Sequence, residues 1–308
     1  MSATSTVENS TRSSTPSAVW PDVSLFSVAV IWGVNIPIMK NGLDHLDLYV
    51  FNAFRLAVSA TVLAAFAVRA RWRGSVPGPG IRWRHVATYA VLVGAVYQVL
   101  FLFGISRTTS GNTALIIATV PMWTALLARL FLREQLRWLA WSGLAVALVG
   151  TIIVALQKGD VAVGTEHLIG NMFVLASALV WSAGTVYSRP LLRDLSPMRL
   201  AASAAVTGIP VHLILAVGRY QESFAELKSV GLWMIILYSG VLSAGLAQPM
   251  WHYGVRHAGA AHAAIIQNLI PLVAIVSAWL TRGEVITVPQ MIGGVLILGG
   301  LLAMRSGR

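Results

Sequence analysis

Apolar residues run along this chain in long blocks; they do not alternate every second position or return every third and fourth. A block of about 18 or more can cross the hydrocarbon core as a helix, whereas strict alternation would mark a strand with one wet face. Ten blocks are present, at residues 23–40, 47–68, 85–106, 110–132, 138–156, 168–188, 200–218, 231–253, 260–281 and 287–304. Charged residues fall almost wholly between them. The pattern predicts an all-α integral membrane protein of ten transmembrane helices, with joins too short to hold a soluble catalytic domain. Residues 1–22 are polar and Ser/Thr-rich and lack the apolar core of a cleaved signal, so they read as a disordered cytoplasmic tail.

Two of the blocks contain the same fault. "ALIIATVPMW" (114–123) and "AAIIQNLIPLV" (263–273) each carry a proline inside an apolar run, where the ring clashes with the preceding turn and removes a donor. Pro121 and Pro271 are 150 positions apart. At that same offset Gly104 meets Gly254, Glu134 meets Glu284, Gly143 meets Gly293 and Gly150 meets Gly300. Trp32 and Trp181 correspond more weakly upstream. Leu and Ala matches are cheap between membrane helices, but paired Pro, Glu and Gly in register are not. The chain therefore reads as two repeats, 23–156 and 165–304, of five helices each. Five is odd, so the second repeat enters the membrane in the opposite sense, an arrangement that places a solute site near the midplane between the halves. Pro121 and Pro271 are expected to break helices 4 and 9 around such a central cavity, where broken helices are tolerated. The alternative is that proline is simply commoner in membrane helices.

Composition agrees. The chain is 56% hydrophobic and 11% charged, against roughly 25% charged in soluble domains. Its net charge of +11 could suggest nucleic acid, but the charges follow topology. Arginines cluster in "RARWRG" and "RWRH" between the second and third spans. With that loop cytoplasmic, only seven of the 22 Lys/Arg lie outside: Lys40, Arg55, Arg107, Lys158, Arg219, Lys228 and Arg282. This is the positive-inside bias, and it puts both termini inside a multi-pass protein of the cell inner (plasma) membrane. No basic face remains for nucleic acid. With no cysteine, disulfides, thiolate catalysis and Cys-based metal sites are excluded. No metal or cofactor is expected. His252, His257 and His262 are five apart and do not share a helix face. No nucleophile–base pair, HExxH motif or buried Asp pair is visible, so an enzyme is not expected.

The paired segments "NTALIIATVPMWTALLARLFLREQL" and "HAAIIQNLIPLVAIVSAWLTRGEVI", together with Trp32 in the first span, resemble the drug/metabolite transporter superfamily, specifically its ten-helix EamA-type exporters. The resemblance covers nearly all of 23–304. It implies an inverted-repeat fold, a central cavity lined mainly by helices 1, 3, 4, 6, 8 and 9, and export of small metabolites, amino acids and aromatic ones among them.

All eleven acidic residues fall in a tail, a join or a span end. A buried carboxylate is the natural handle for a cation or for proton exchange, and the first span, "SVAVIWGVNIPI", has none. A neutral or zwitterionic solute in an uncharged pocket, moved by alternating access, fits better. A proton-coupled drug or nucleotide-sugar carrier is the alternative, with a histidine replacing the carboxylate. The candidate substrate-binding residues are Trp32 and Asn35 on helix 1; Tyr97, Gln98 and Phe101 on helix 3; Trp181 and Thr185 on helix 6; Ser239, Ser243 and Gln248 on helix 8; and His262, Gln267 and Asn268 on helix 9. Such a set offers apolar area with a few fixed donors and acceptors. Each has a plain alternative: belt tryptophans at the interface, as for Trp20, Trp83, Trp138 and Trp233, and Ser/Thr packing between helices. Arg55 and Arg129 read as residues snorkelling to headgroups, with anion attraction at the outer mouth the other reading of Arg55. Glu134 and Glu284 read as partners of nearby arginines at helix ends, or as a gate latch. The expected partners are a small-molecule solute and the bilayer, with a monomer preferred over a dimer.

Overall fold

The computed structural model describes residues 19–72, 77–156, 164–223 and 226–306, so most of the expected tail lies outside the described residues. These residues form helices and no strands: α1 (Val19–Leu43), α2 (Leu48–Trp72), α3 (Trp83–Ile105), α4 (Ser110–Ala118 and Val120–Leu132), α5 (Trp138–Leu156), α6 (Leu168–Leu191), α7 (Pro197–Ala216), α8 (Val230–Ala258), α9 (Ala260–Gln267 and Ile270–Arg282) and α10 (Val288–Ser306). Nine of them are long and apolar enough to cross a membrane, and the apolar part of the tenth, Val288–Ala303, is shorter. Side-chain oxygens start several: Thr109 accepts from the Asn112 amide at 3.1 Å, Ser196 from Arg199 and Ser229 from Leu232, each satisfying a first-turn amide that has no helical partner.

The two prolines explain themselves at this level. α4 pauses at Thr119, whose amide donates to Ile116 three residues back, and Pro121 then sits in the first turn of the second segment. α9 pauses at Asn268 and Leu269, which donate to Ile265 and Ile266, and Pro271 again sits in a first turn. A proline there removes a donor that had no partner anyway. Both helices end in a left-handed residue at the same relative place, Arg133 (φ 54°) and Gly283 (φ 66°). α3 and α8 are likewise both widened into π-helical turns, over Val91–Val96 and Tyr238–Leu246.

The halves are interleaved. α1 packs on α8 and α9, while α6 packs on α3 and α4; α2 packs on α8 while α7 packs on α3; α2 lies against α7 and α5 against α10. Exchanging each helix for the one five places later leaves this main set of neighbours unchanged. The joins meet across the halves too. Gly78 in the α2–α3 join donates to the Asp194 carbonyl in the α6–α7 join at 2.8 Å, and Arg219 after α7 pairs with Asp47 before α2 at 3.1 Å.

The exterior is apolar, with Phe66, Leu130, Phe131, Ile214, Met234, Leu280 and Leu302 all exposed, while Asn35, Asn52, Ser177, Thr185, His212 and His252 are buried. This reverses the soluble pattern and matches a hydrocarbon surrounding, in which polar groups must find partners inside the protein. Glycines set the closest approaches. A Cβ on Gly150 would lie 2.5 Å from the Gly293 carbonyl oxygen, and one on Gly300 would lie 2.5 Å from that of Gly143. The small-residue faces of α5 and α10 therefore meet each other within one chain. Gly150→Leu is expected to force these helices apart and lower stability by roughly 1–3 kcal/mol, read as a lower unfolding midpoint in detergent; an unchanged midpoint would contradict this packing.

Candidate functional site

A cavity of about 260 Å³ lies between the halves. α1 presents Trp32 and Asn35 to it, α3 presents Tyr97, Gln98 and Phe101, α6 presents Trp181, α8 presents Ser243 and Gln248, and α9 presents Gln267. These nine of the thirteen sequence-predicted residues share one space. They converge because Trp32 and Asn35, or Tyr97 and Phe101, recur at three or four positions on one helix face.

Aromatic rings build one wall. Trp32 and Trp181, the residues that correspond across the repeat, meet edge to face at 5.9 Å between centroids. Trp251 closes a triangle with them at 5.5 and 6.2 Å, and Tyr97 leans on Trp181 at 5.1 Å and stacks on Phe101 at 6.1 Å. Trp32 is fixed by its indole N–H, which donates to the Ser243 carbonyl at 3.0 Å. Asn35 is fixed by the Ser239 hydroxyl, which donates to its Oδ1 at 2.5 Å. The cavity reaches Met39, Leu48 and Ile105 at one end of the bundle. Beyond the indoles, Leu25, Val28, Leu192 and Val255 are packed into a buried core.

Four predicted residues are not among those lining the cavity. Ser239 stands behind it, holding Asn35. Thr185 is buried in the α6 packing and accepts from the Ser188 hydroxyl through its carbonyl. Asn268 turns back on its own helix and donates to the Ile265 carbonyl at 3.1 Å, which serves the α9 break directly. His262 lies at the far end of α1, 2.7 Å from the Asp22 carboxylate. Spacing along α6 points to Thr185, and the other three stand out as polar residues inside apolar spans; neither signal tells a side chain that faces the cavity from one that a neighbouring helix or its own backbone satisfies.

The structure adds residues that sequence reasoning left out. His252 lines the cavity and pairs with the Tyr89 hydroxyl at 3.0 Å. Arg55 also lines it, so it is not a snorkelling side chain, and the pocket is not uncharged. Its Nη2 donates to Asn52 Oδ1 at 2.5 Å, and the Asn52 amide faces His212 Nδ1 at 3.2 Å. Arg129, by contrast, is exposed.

Glu134 does not pair with its neighbours Arg133 and Arg137. Its carboxylate accepts from the Ala260 and Ala261 amides at 3.1 Å each and forms an ion pair with Arg189 of α6. One side chain from the end of α4 thus caps the start of α9, where the helix dipole favours an anion. Gly259 makes this possible: its φ of +98° turns α8 into α9, and a Cβ there would stand 3.2 Å from Glu134 Oε2. The repeat equivalent, Glu284, lies 3.9 Å from Lys40 in an exposed pair. Among the described residues, no group of three or more His, Asp or Glu side chains is placed to hold a metal.

An all-helical membrane chain with a solute-sized space between its interleaved halves has the form of a transporter. The profile of the EamA-like transporter family matches residues 19–156 and again 168–306, and the chain belongs to that family. It is similar to a "Probable terminal-alkyne amino-acid exporter" of Streptantibioticus cattleyicolor, 29% identical over 292 residues, covering 94% of this chain and 93% of that one. It is also similar to a "Probable amino-acid metabolite efflux pump" of Salmonella typhimurium, 23% identical over 286 residues, covering 89% and 91%. A solved crystal structure at 16% identity shares the fold, with a TM-score of 0.78 over 92% of this chain and 98% of that one.

Glu134→Ala is expected to leave two helix-end amides and a guanidinium without their acceptor, destabilising the protein by on the order of 3 kcal/mol. Glu134→Gln, which keeps one acceptor oxygen, should lose less, and thermal unfolding in detergent measures both.

Proposed function

We propose that the chain exports small metabolites of amino-acid type, aromatic ones included, through the cavity between its halves by alternating access. The observation that carries this reading is the make-up of the cavity: a wall of Trp32, Tyr97 and Trp181, a few amides, and no acidic residue among its lining groups. Its volume of about 260 Å³ falls just below the roughly 300 to 1,000 Å³ of ligand pockets in general, and suits a small metabolite better than a drug. The two relatives, one named a probable terminal-alkyne amino-acid exporter and the other a probable amino-acid metabolite efflux pump, lend their substrate class. Export direction rests on those names.

The same reading takes the halves as antiparallel, with both termini cytoplasmic in the inner membrane. The joins support it: α2–α3 meets α6–α7, and α1–α2 meets α7–α8, so equivalent joins of the two halves fall at opposite ends. The arginine-rich end is then cytoplasmic and the cavity reaches the outer end. A proton-coupled carrier is the second reading, favoured by one observation, the His252 imidazole on the cavity wall.

Three measurements test these points. In proteoliposomes, a flux screen across amino acids, aromatic amines and quaternary cations should show amino acids moving; Trp32→Ala, Tyr97→Ala and Trp181→Ala should each cut that flux while membrane insertion stays normal. Flux should persist without a pH gradient, and strict dependence on one would favour the proton-coupled reading. The absence of native cysteine makes topology direct: single cysteines replacing Arg82 and Arg193 should label from one face, and those replacing Arg107 and Lys228 from the other. Opposite labelling of Arg82→Cys and Arg193→Cys would end the antiparallel reading.

A further inference from the structure

We infer that Arg55 is the anchor for a carboxylate on the transported molecule, so that this cavity selects carboxylate-bearing solutes over organic amines. The inference rests on the cavity being the transport site, and it goes beyond that reading by naming the group that recognises the solute.

Arg55 stands in α2, in a span, with its side chain half-buried against the cavity. A guanidinium in such surroundings normally pairs with an acid or reaches to the headgroups, because an isolated charge in a low-dielectric interior is costly. Here neither occurs. No ion pair joins Arg55 to an acidic residue among the described residues, and every acidic residue of the chain lies in a tail, a join or a helix end. Among the described residues its one hydrogen-bond partner is neutral, Asn52 Oδ1 at 2.5 Å, and its Nε is buried without a partner there.

The position is nonetheless built. Asn52 is buried and is itself held against His212 of α7, so a two-step neutral scaffold fixes one edge of the guanidinium while contributing no negative charge. A fork of donors held in place and short of an anion is the arrangement that receives a carboxylate, which can accept two parallel N–H bonds. The cavity offers a complementary site for the rest of the solute. Gln267 Oε1 is a buried acceptor without a hydrogen-bond partner and Trp181 Nε1 a buried donor without one, both on residues that line the same space. A carboxylate at Arg55, an ammonium turned to Gln267 and an apolar body against the indoles describes an α-amino acid or a close relative. An amine without a carboxylate would meet the Arg55 charge with nothing to offset it.

The test uses the full-length chain in proteoliposomes with labelled phenylalanine as the probe. Phenylpropionate, phenethylamine and phenylalaninamide, which share its body but not its charges, serve as competitors. For the wild-type chain, phenylpropionate should compete and the two carboxylate-free compounds should not. Arg55→Gln should raise the KM for phenylalanine by about tenfold or more, the scale of a lost charge-assisted bond, and should abolish the preference for the acid over the amine. Arg55→Lys should retain part of that preference. Asn52→Ala, which frees the guanidinium without removing it, should raise KM by less with kcat little changed. The competition series on the wild-type chain stands even where Arg55→Gln fails to insert. Phenethylamine competing as well as phenylpropionate, or an inserted Arg55→Gln with wild-type KM and an intact acid preference, would overturn the role of Arg55 and leave the amino-acid reading standing. A wild-type chain that moves no carboxylate-bearing probe would overturn both together.

Discussion

Hydrocarbon gives a backbone amide or a charged side chain no partner except the protein itself, and this structure is arranged around that scarcity. Continuous helices satisfy most of the backbone. Where the helices stop, at Thr119 and at Asn268 in the middle of the bundle, the freed groups turn inward, with three-residue backbone bonds and the Asn268 side chain taking up the slack. The breaks therefore occur where other helices surround them. The π-helical turns of α3 and α8 face the same interior, so four of the elements around the cavity depart from regular helix while α5 and α10, on the periphery, do not.

The interior that results is polar in small, mostly paired pieces. Ser239 holds Asn35, Ser243 holds Trp32, Tyr89 holds His252 and Asn52 holds Arg55. Each pairing fixes a side chain at the cavity wall and removes one unsatisfied group, so ordering the site and making it tolerable in a membrane are the same act. Among the described residues, the buried polar atoms left without a partner are few, and those of Arg55, Trp181, His252 and Gln267 belong to residues that line one space, which is why they point to a solute and not to a defect of packing.

Much of this was legible in the chain before any coordinates. Block lengths gave the helices to within a few residues, with α1 beginning at Val19 and not at 23, and α8 running on to Ala258. The doubled prolines marked the two broken helices, and the correspondence of Trp32 with Trp181 anticipated rings that do touch. What stayed hidden depended on distance along the sequence or on depth. Glu134 finds its partners 55 and 126 residues away, across an axis that one sequence does not display. Arg55 counts as close to a span end, yet α2 carries it onto the cavity side, and counting residues does not tell which side of a helix faces lipid. His252 and His262 look alike in "WHYGVRHAGAAH", and only the turn at Gly259 sends one to the cavity and the other to Asp22.

The shared carboxylate at Glu134 has a mechanical meaning. Three elements, the end of α4, the start of α9 and the Arg189 side chain of α6, hang on two oxygen atoms. Pulling any one of them away strands the donors of the others, so the knot loosens as a unit or stays tied. A junction built this way has few partly parted forms: the ends of α4, α6 and α9 part together or stay joined.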